Sequence, residues 1–354
     1  VIYIISFVLV LSILIFVHEF GHFIVARKLG IEVLKFSLGF GPKVFGFQGK
    51  NTEYILSAVP FGGYVKLLGE SPEEEVSPEK RGNSFSHRPS SHKLLVVAAG
   101  PLFNIFFASF VFWFVFMTGV PVLKPVVGEV VKDSPAKKAG IVKGDVIGAI
   151  NGRSIKRWED IAIGIKKAGI AASLDILIDR EGKPVHLQLI AKEQEVKNLF
   201  GESVREPKIG IIAKGDYFEK RYNPVSALYQ GVRETGKLVY LTVMTVVKLI
   251  QRVIPADSLG GPILIAQLAG DQAKQGVAPF FYFLALLSVN LGILNLLPIP
   301  ILDGGHIMLF SYEAITGKTV SMKVKGIVQQ VGLVIIITLT ILVFYNDIAR
   351  ILVK

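Results

Sequence analysis

Cysteine is absent from the 354 residues. There is therefore no disulfide framework and no thiolate zinc site, and any bound metal must rest on histidine and carboxylate. Acidic residues are in short supply: 28 Asp and Glu stand against 39 Lys and Arg, a formal charge of +11. No motif interleaving basic and aromatic residues accompanies that excess. Nucleic acid is thus disfavoured, and basic cytoplasmic loops beside anionic lipid account for the charge. Internal repeats are also lacking, which argues against a transporter with a broken-helix ion site. What is present is apolar. Hydrophobic residues make up 51% of the chain, too many for one soluble domain, while 19% charge is too much for a chain that lies wholly in a membrane. The composition implies several spans plus at least one soluble domain.

Residues 1–17 carry no charge, and their only polar atoms are on Tyr3, Ser6 and Ser12. With no basic n-region and no small-residue cleavage site before His18, the run reads as a span and not as a signal peptide. It ends in His18-Glu19-Phe20-Gly21-His22. A helix puts positions i and i+4 on one face, so His18 and His22 can share one zinc ion while Glu19 reaches its water. Five residues can match by chance, and two polar groups ending a membrane helix is the bland alternative. Ionisable groups at membrane depth are costly, however, and mark function by default.

The remaining organisation follows from hydropathy and turn chemistry. Residues 1–28 form span one, with Arg27 and Lys28 placing its end in the cytoplasm. Residues 31–68 alternate around a turn at 48–51 and read as a β-hairpin lying against the membrane, with a sharp bend at Gly62-Gly63-Tyr64. Residues 69–93 read as a cytoplasmic loop and 94–118 as span two, which carries Asn104. That asparagine serves either close helix packing or the lining of a site. Residues 121–215 read as one small soluble domain of strands and short helices. Within 222–256 the uncharged stretch 238–247 is too short to cross, so it reads as an amphipathic helix at the interface. Residues 279–310 form span three and 327–346 span four.

Near the end of span three, Pro298 and Pro300 break the helix and open a polar pocket ahead of Asp303. Asp303 is the only carboxylate in that span, and three protein ligands plus water is the catalytic zinc pattern. Parity agrees. If 238–247 does not cross, spans one and three both run inward, and Asp303 meets His18 and His22 near the cytoplasmic side. His306, one turn after Asp303, competes as the third ligand. Asp303 is preferred because two histidines and a carboxylate suit hydrolytic zinc.

The motifs HEFGH at 18–22, PFGGYVK at 60–66, AAGPLFN at 98–104, SLGGP at 258–262 and NLLPIPILDGGH at 295–306 together resemble the site-2 protease family of intramembrane zinc metalloproteases, in its bacterial branch, that of the regulator of sigma-E protease. The resemblance covers nearly the whole chain. It implies a polytopic α-helical membrane protein of the bacterial inner membrane. Four transmembrane helices would accompany a membrane-reentrant β-hairpin and one inserted PDZ-like α+β domain on the periplasmic side. It further implies Zn2+ on His18, His22 and Asp303, Glu19 as general base, and Asn295 near the metal handling substrate. Asn104, Pro298, Pro300, Gly62, Gly63 and Tyr64 are expected to border the substrate as well. The implied substrates are single-span proteins trimmed beforehand by a site-1 type protease, such as anti-sigma factors, and remnant signal peptides. Relatives from enterobacteria carry two PDZ domains, whereas this chain has room for one. The competing reading is a catalytically dead membrane PDZ scaffold, against which the intact His, Glu and Asp set argues.

Overall fold

The computed structural model describes residues 1–70 and 75–352. Part of the expected 69–93 loop, residues 71–74, lies outside the described residues. The chain divides into two compact units, one made of Thr118–Tyr222 with Ile250–Ile254 and the other of the remaining residues.

The larger unit begins with α1 (Ile2–Lys28), followed by β1 (Val33–Gln48), β2 (Glu53–Leu67) and α2 (Ser90–Thr118). The two strands are long and each folds back, so the hairpin becomes four segments, antiparallel at the two outer pairings and parallel at the central one. Gln48, Phe47, Gly46 and Phe45 pair with Glu53, Tyr54, Ile55 and Leu56. Those four also pair with Lys35, Phe36, Ser37 and Leu38, which in turn pair with Lys66, Val65, Tyr64 and Gly63. The order is therefore 43–48, 53–57, 35–38, 63–67, with 63–67 at one edge. Glycines at 39, 41 and 62, all at positive φ, permit the folding back. Phe23, Ala26, Val33, Phe36, Leu67, Val96 and Phe310 form a shared core that fastens this sheet to the C-terminal end of α1.

The smaller unit contains β3 (Val120–Leu123), β4 (Val127–Val130), α3 (Pro135–Lys138), β5 (Val146–Ile150), β6 (Arg153–Ser154), α4 (Trp158–Ala168), β7 (Ser173–Arg180), β8 (Lys183–Ile190), β9 (Lys192–Lys197), β10 (Ser203–Lys208), β11 (Ile211–Ala213) and β12 (Tyr217–Lys220). Strands β6, β5, β7 and β8 form one antiparallel sheet in that order. Two tight turns set it: Asn151-Gly152 and Glu181-Gly182 all have positive φ, as a two-residue hairpin turn of that hand requires. Strand β12 pairs with β3, which carries the unit's borders out to Thr118 and Tyr222, beyond the expected 121–215. Its core is its own, built on Ile141, Ile147, Leu174, Ile176 and Ile178, all fully enclosed.

Asp145 is almost fully enclosed in this unit. Burial by itself would raise its carboxyl. The Arg180 guanidinium, bonded to both carboxylate oxygens at 2.8 and 2.9 Å, and the Val142 N–H at 2.8 Å outweigh that and hold it below the ordinary aspartate value. A carboxyl lowered on folding adds stability that is fully present above its unfolded value of about 3.9 and fades as pH falls toward the folded value. Hydrogen exchange in β5 and β7 should therefore accelerate below about pH 4, and Asp145→Asn should flatten that dependence. An unchanged acid profile in the variant would remove Asp145 from the account.

After the insert come α5 (Pro224–Ile250), α6 (Pro262–Gln275), α7 (Val277–Asn295), α8 (Asp303–Thr316) and α9 (Met322–Leu352). Four helices are long and apolar enough to cross a membrane: Ile2–Lys28, Ser90–Thr118, Val277–Asn295 and Lys323–Leu352. The chain is a polytopic membrane protein.

Three expectations need correction. The segment 279–310 is not one helix, because α7 stops at Asn295 and α8 starts at Asp303. Leu296 and Leu297 turn the backbone in tight hydrogen bonds to Gly292, Ile293 and Leu294, and Pro298 and Pro300 cannot continue the ladder. Within 222–256 the helix α5 is 27 residues long, far more than the uncharged ten. Its polar groups find partners on neighbouring helices: Thr235 accepts from Ser109 at 3.1 Å, Glu234 from Tyr282 at 2.8 Å, and Thr242 donates to Asn290 at 2.7 Å. The fourth apolar helix extends past both ends of 327–346, since a helical ladder continues through flanking charged turns, with Lys323 and Lys325 at one end and Asp347 and Arg350 at the other. Helix α6 went unread in the sequence. It has no side-chain cap of its own. Asp347 of α9 caps it instead, accepting from the N–H groups of Gly261, Ile263 and Leu264 at 2.9, 2.9 and 3.1 Å.

Candidate metal centre and active site

Helix geometry puts His18 and His22 one turn apart on α1, with ring centroids 4.9 Å apart and planes near perpendicular. Their Nε2 atoms are 3.3 Å apart. Asp303 opens α8, and its Oδ2 lies 3.1 Å from His18 Nε2 while its Oδ1 lies 3.6 Å from His22 Nε2. Among the described residues, His18, His22 and Asp303 form the group whose ligand atoms could share one ion. Zinc bound tetrahedrally at about 2.0–2.1 Å has ligand-to-ligand edges of about 3.3 Å. One ligand atom from each of the three residues lies within 4.8 Å of the others, and two histidines with a carboxylate are a donor set that zinc accepts.

Helix α2 supplies the support. His22 Nδ1 donates to the Val96 carbonyl at 2.8 Å, which turns its Nε2 toward the ligand group. Gly100 allows α2 to lie directly beneath the two rings: a β-carbon there would strike His22 Nε2 and come within 2.9 Å of His18 Cε1. Asn104 is fully enclosed, and its amide faces His18 Nδ1 at 3.2 Å. It touches a histidine ring of the ligand group.

The other expected residues distribute unevenly. Asn295, the last residue of α7, brings its Nδ2 to 3.4 Å from His18 Nε2. Pro298 is exposed and Pro300 half-buried in the turn between α7 and α8. Gly63 lies against α1: a β-carbon there would come within 2.9 Å of both Glu19 Cγ and Ile15 Cγ2. Tyr64 stacks on Phe40 at 6.4 Å, and Gly62 adopts φ +135° beside that same Phe40 ring. His306 stacks on Phe310 and is outside the ligand group. Sequence reasoning missed Val96, because a backbone carbonyl leaves no residue signature. It also missed the role of Gly100, whose signal is only a glycine four residues before a buried asparagine.

The family model described as Peptidase family M50 matches residues 6–339. A Rhizobium meliloti protein provisionally named a zinc metalloprotease is 36% identical over 359 aligned residues, covering 97% of this chain and 95% of the relative. The regulator of sigma-E protease RseP of Escherichia coli is 32% identical over 441 positions, covering 98% of each chain. Protease RseP of Yersinia pestis is likewise 32% identical, over 448 positions and 98% of each. An alignment of 441 positions on a chain of 354 residues leaves at least 87 gap positions on this side, about one small domain, whereas the alignment with the Rhizobium protein, of 359 positions, needs far fewer. With a family model spanning nearly the whole sequence and relatives matched end to end, the chain belongs to peptidase family M50 and is an intramembrane zinc metalloprotease.

Proposed function

We propose that His18, His22 and Asp303 hold the zinc and that Glu19 is the general base. The observation that carries this reading is the convergence of two histidines and one carboxylate from distant parts of the chain, with ligand atoms within 4.8 Å of one another. Zinc in such a setting polarises a scissile carbonyl and acidifies water. Glu19 takes a proton from the attacking water as its oxygen bonds to the carbonyl carbon. The C–N bond then breaks, and Glu19 delivers the proton to the leaving nitrogen. Asn295 stands beside His18 in a position to orient the polypeptide being cut.

A helical substrate has its carbonyls locked and must unwind before attack. The 63–67 edge of the sheet supports a way to hold the unwound stretch. No other strand pairs with that edge among the described residues, and Gly63 brings it against Glu19. An extended segment added there gains main-chain hydrogen bonds next to the base. The apolar residues Phe40, Val44, Phe45, Phe47, Leu56 and Val59 at the far end of the sheet are exposed, which suits a hairpin re-entering the membrane. The smaller unit, with its enclosed core and terminal strand pair, suits a PDZ-like domain. The substrates are then single-span proteins trimmed beforehand by a site-1 type protease, anti-sigma factors and remnant signal peptides among them, in an inner membrane. The PDZ-like domain is periplasmic and the metal near the cytoplasmic side. Purified chain should cut a single-span test protein within its membrane segment, stop with phenanthroline and resume with zinc. Cleavage indifferent to the chelator would refute the metal reading.

The domain at 118–222 contributes no residue to the ligand group and has its own core. We expect it to control access and not chemistry. Replacing 122–214 by a flexible splice should permit cleavage of untrimmed substrates in cells. Slower cleavage of trimmed substrates with no gain on untrimmed ones, in a stably inserted variant, would instead make the domain a recruiting module.

A further inference from the structure

Val96, Gly100 and Asn104 follow one another at four-residue spacing and so share one face of α2. That face lies under the two histidines. Val96 accepts the Nδ1–H of His22, and Gly100 makes room for both rings. Asn104, the third member, faces Nδ1 of His18.

A histidine that ligates through Nε2 keeps its proton on Nδ1, and that N–H needs an acceptor. The Asn104 amide has one acceptor end and one donor end, and hydrogen-bond chemistry decides which of them faces the ring. With Nδ2 toward His18, a donor meets a donor, and Oδ1 is left buried with no partner. Turning the amide by half a rotation lets Oδ1 receive the Nδ1–H and so satisfies that acceptor, and the NH2 takes the enclosed position that Oδ1 held. The backbone at this position is itself held, because Ser288 of α7 donates to the Asn104 carbonyl at 2.7 Å.

We propose that Asn104 is the positioning residue for His18, accepting its Nδ1–H through Oδ1 and so fixing the tautomer and tilt with which Nε2 meets the metal. One face of α2 then serves both histidines, a backbone carbonyl for one and a side-chain carbonyl for the other. The proposal rests on the reading of His18 as a zinc ligand.

The test is zinc affinity of the full-length chain in detergent, measured by competition with a chromophoric chelator, for wild type, Asn104→Leu, Asn104→Asp and His18→Ala. Asn104→Leu should bind zinc about 10- to 100-fold more weakly, while Asn104→Asp, whose carboxylate only accepts, should stay within about threefold of wild type. Asp weakened as far as Leu would overturn the acceptor role. So would wild-type affinity in Asn104→Leu alongside zinc loss in His18→Ala, which leaves the ligand reading standing. Zinc retained by His18→Ala would overturn the ligand reading itself. Should Asn104→Leu fail to accumulate, Asn104→Asp decides alone: affinity near wild type supports the proposal, and a tenfold or greater loss refutes it.

Discussion

Glu19→Gln should retain one zinc per chain and lose cleavage by about 10²- to 10⁴-fold, the usual contribution of a positioned general base. The substitution keeps the shape of the side chain and removes only its ability to take a proton. Glu19 is not in the ligand group, which comprises His18, His22 and Asp303, so metal content and activity should separate. Metal analysis and cleavage of a single-span substrate, run on the same preparation, read both. Near wild-type cleavage by Glu19→Gln would require a different base. Loss of zinc together with activity would make Glu19 a structural support of the ligands.

Gly100→Val should remove both zinc and activity although residue 100 binds nothing. Any β-carbon there strikes His22 Nε2, lies 2.6 Å from His22 Cε1 and 2.9 Å from His18 Cε1. The rings cannot yield in their present positions, since His22 is held by Val96 and His18 faces Asn104. Helices α1 and α2 must therefore part or the ligands must turn. A displacement of about 1 Å at a reacting centre costs about 10²-fold in rate, and here two ligands move together. Gly82, with open space around its would-be β-carbon, supplies the control: Gly82→Ala should leave zinc and cleavage unchanged. Full zinc occupancy in Gly100→Val would show that the two helices pack more loosely than the structure indicates.

The ligand group was legible because charge at membrane depth is costly. His18 and His22 end an uncharged run, and Asp303 is the only carboxylate between residues 279 and 310, so few residues competed. The turns Asn151-Gly152 and Glu181-Gly182 were legible because only certain residues tolerate positive φ at both positions. What escaped depends on partners distant in sequence. The cap of α6 is Asp347, 86 residues beyond Gly261. The length of α5 is set by Ser109, Tyr282 and Asn290 on other helices, which shelter polar groups that interrupt its apolar pattern. The hairpin at 31–68 reads as two strands because alternation reports pairing but not folding back. Asn104 stood open between packing and lining, because a sequence does not show that its side chain faces His18.

The central claim is that one zinc lies between the end of α1 and the start of α8, with Asp303 as its third protein ligand. Zinc per chain in purified Asp303→Ala and His306→Ala tests it most directly. Asp303→Ala should fall well below one, because its carboxylate oxygens lie 3.1 and 3.6 Å from the two Nε2 atoms. His306→Ala should stay near one, because that ring stacks on Phe310. Full zinc in Asp303→Ala with loss in His306→Ala would contradict the account and move the third ligand one turn along α8.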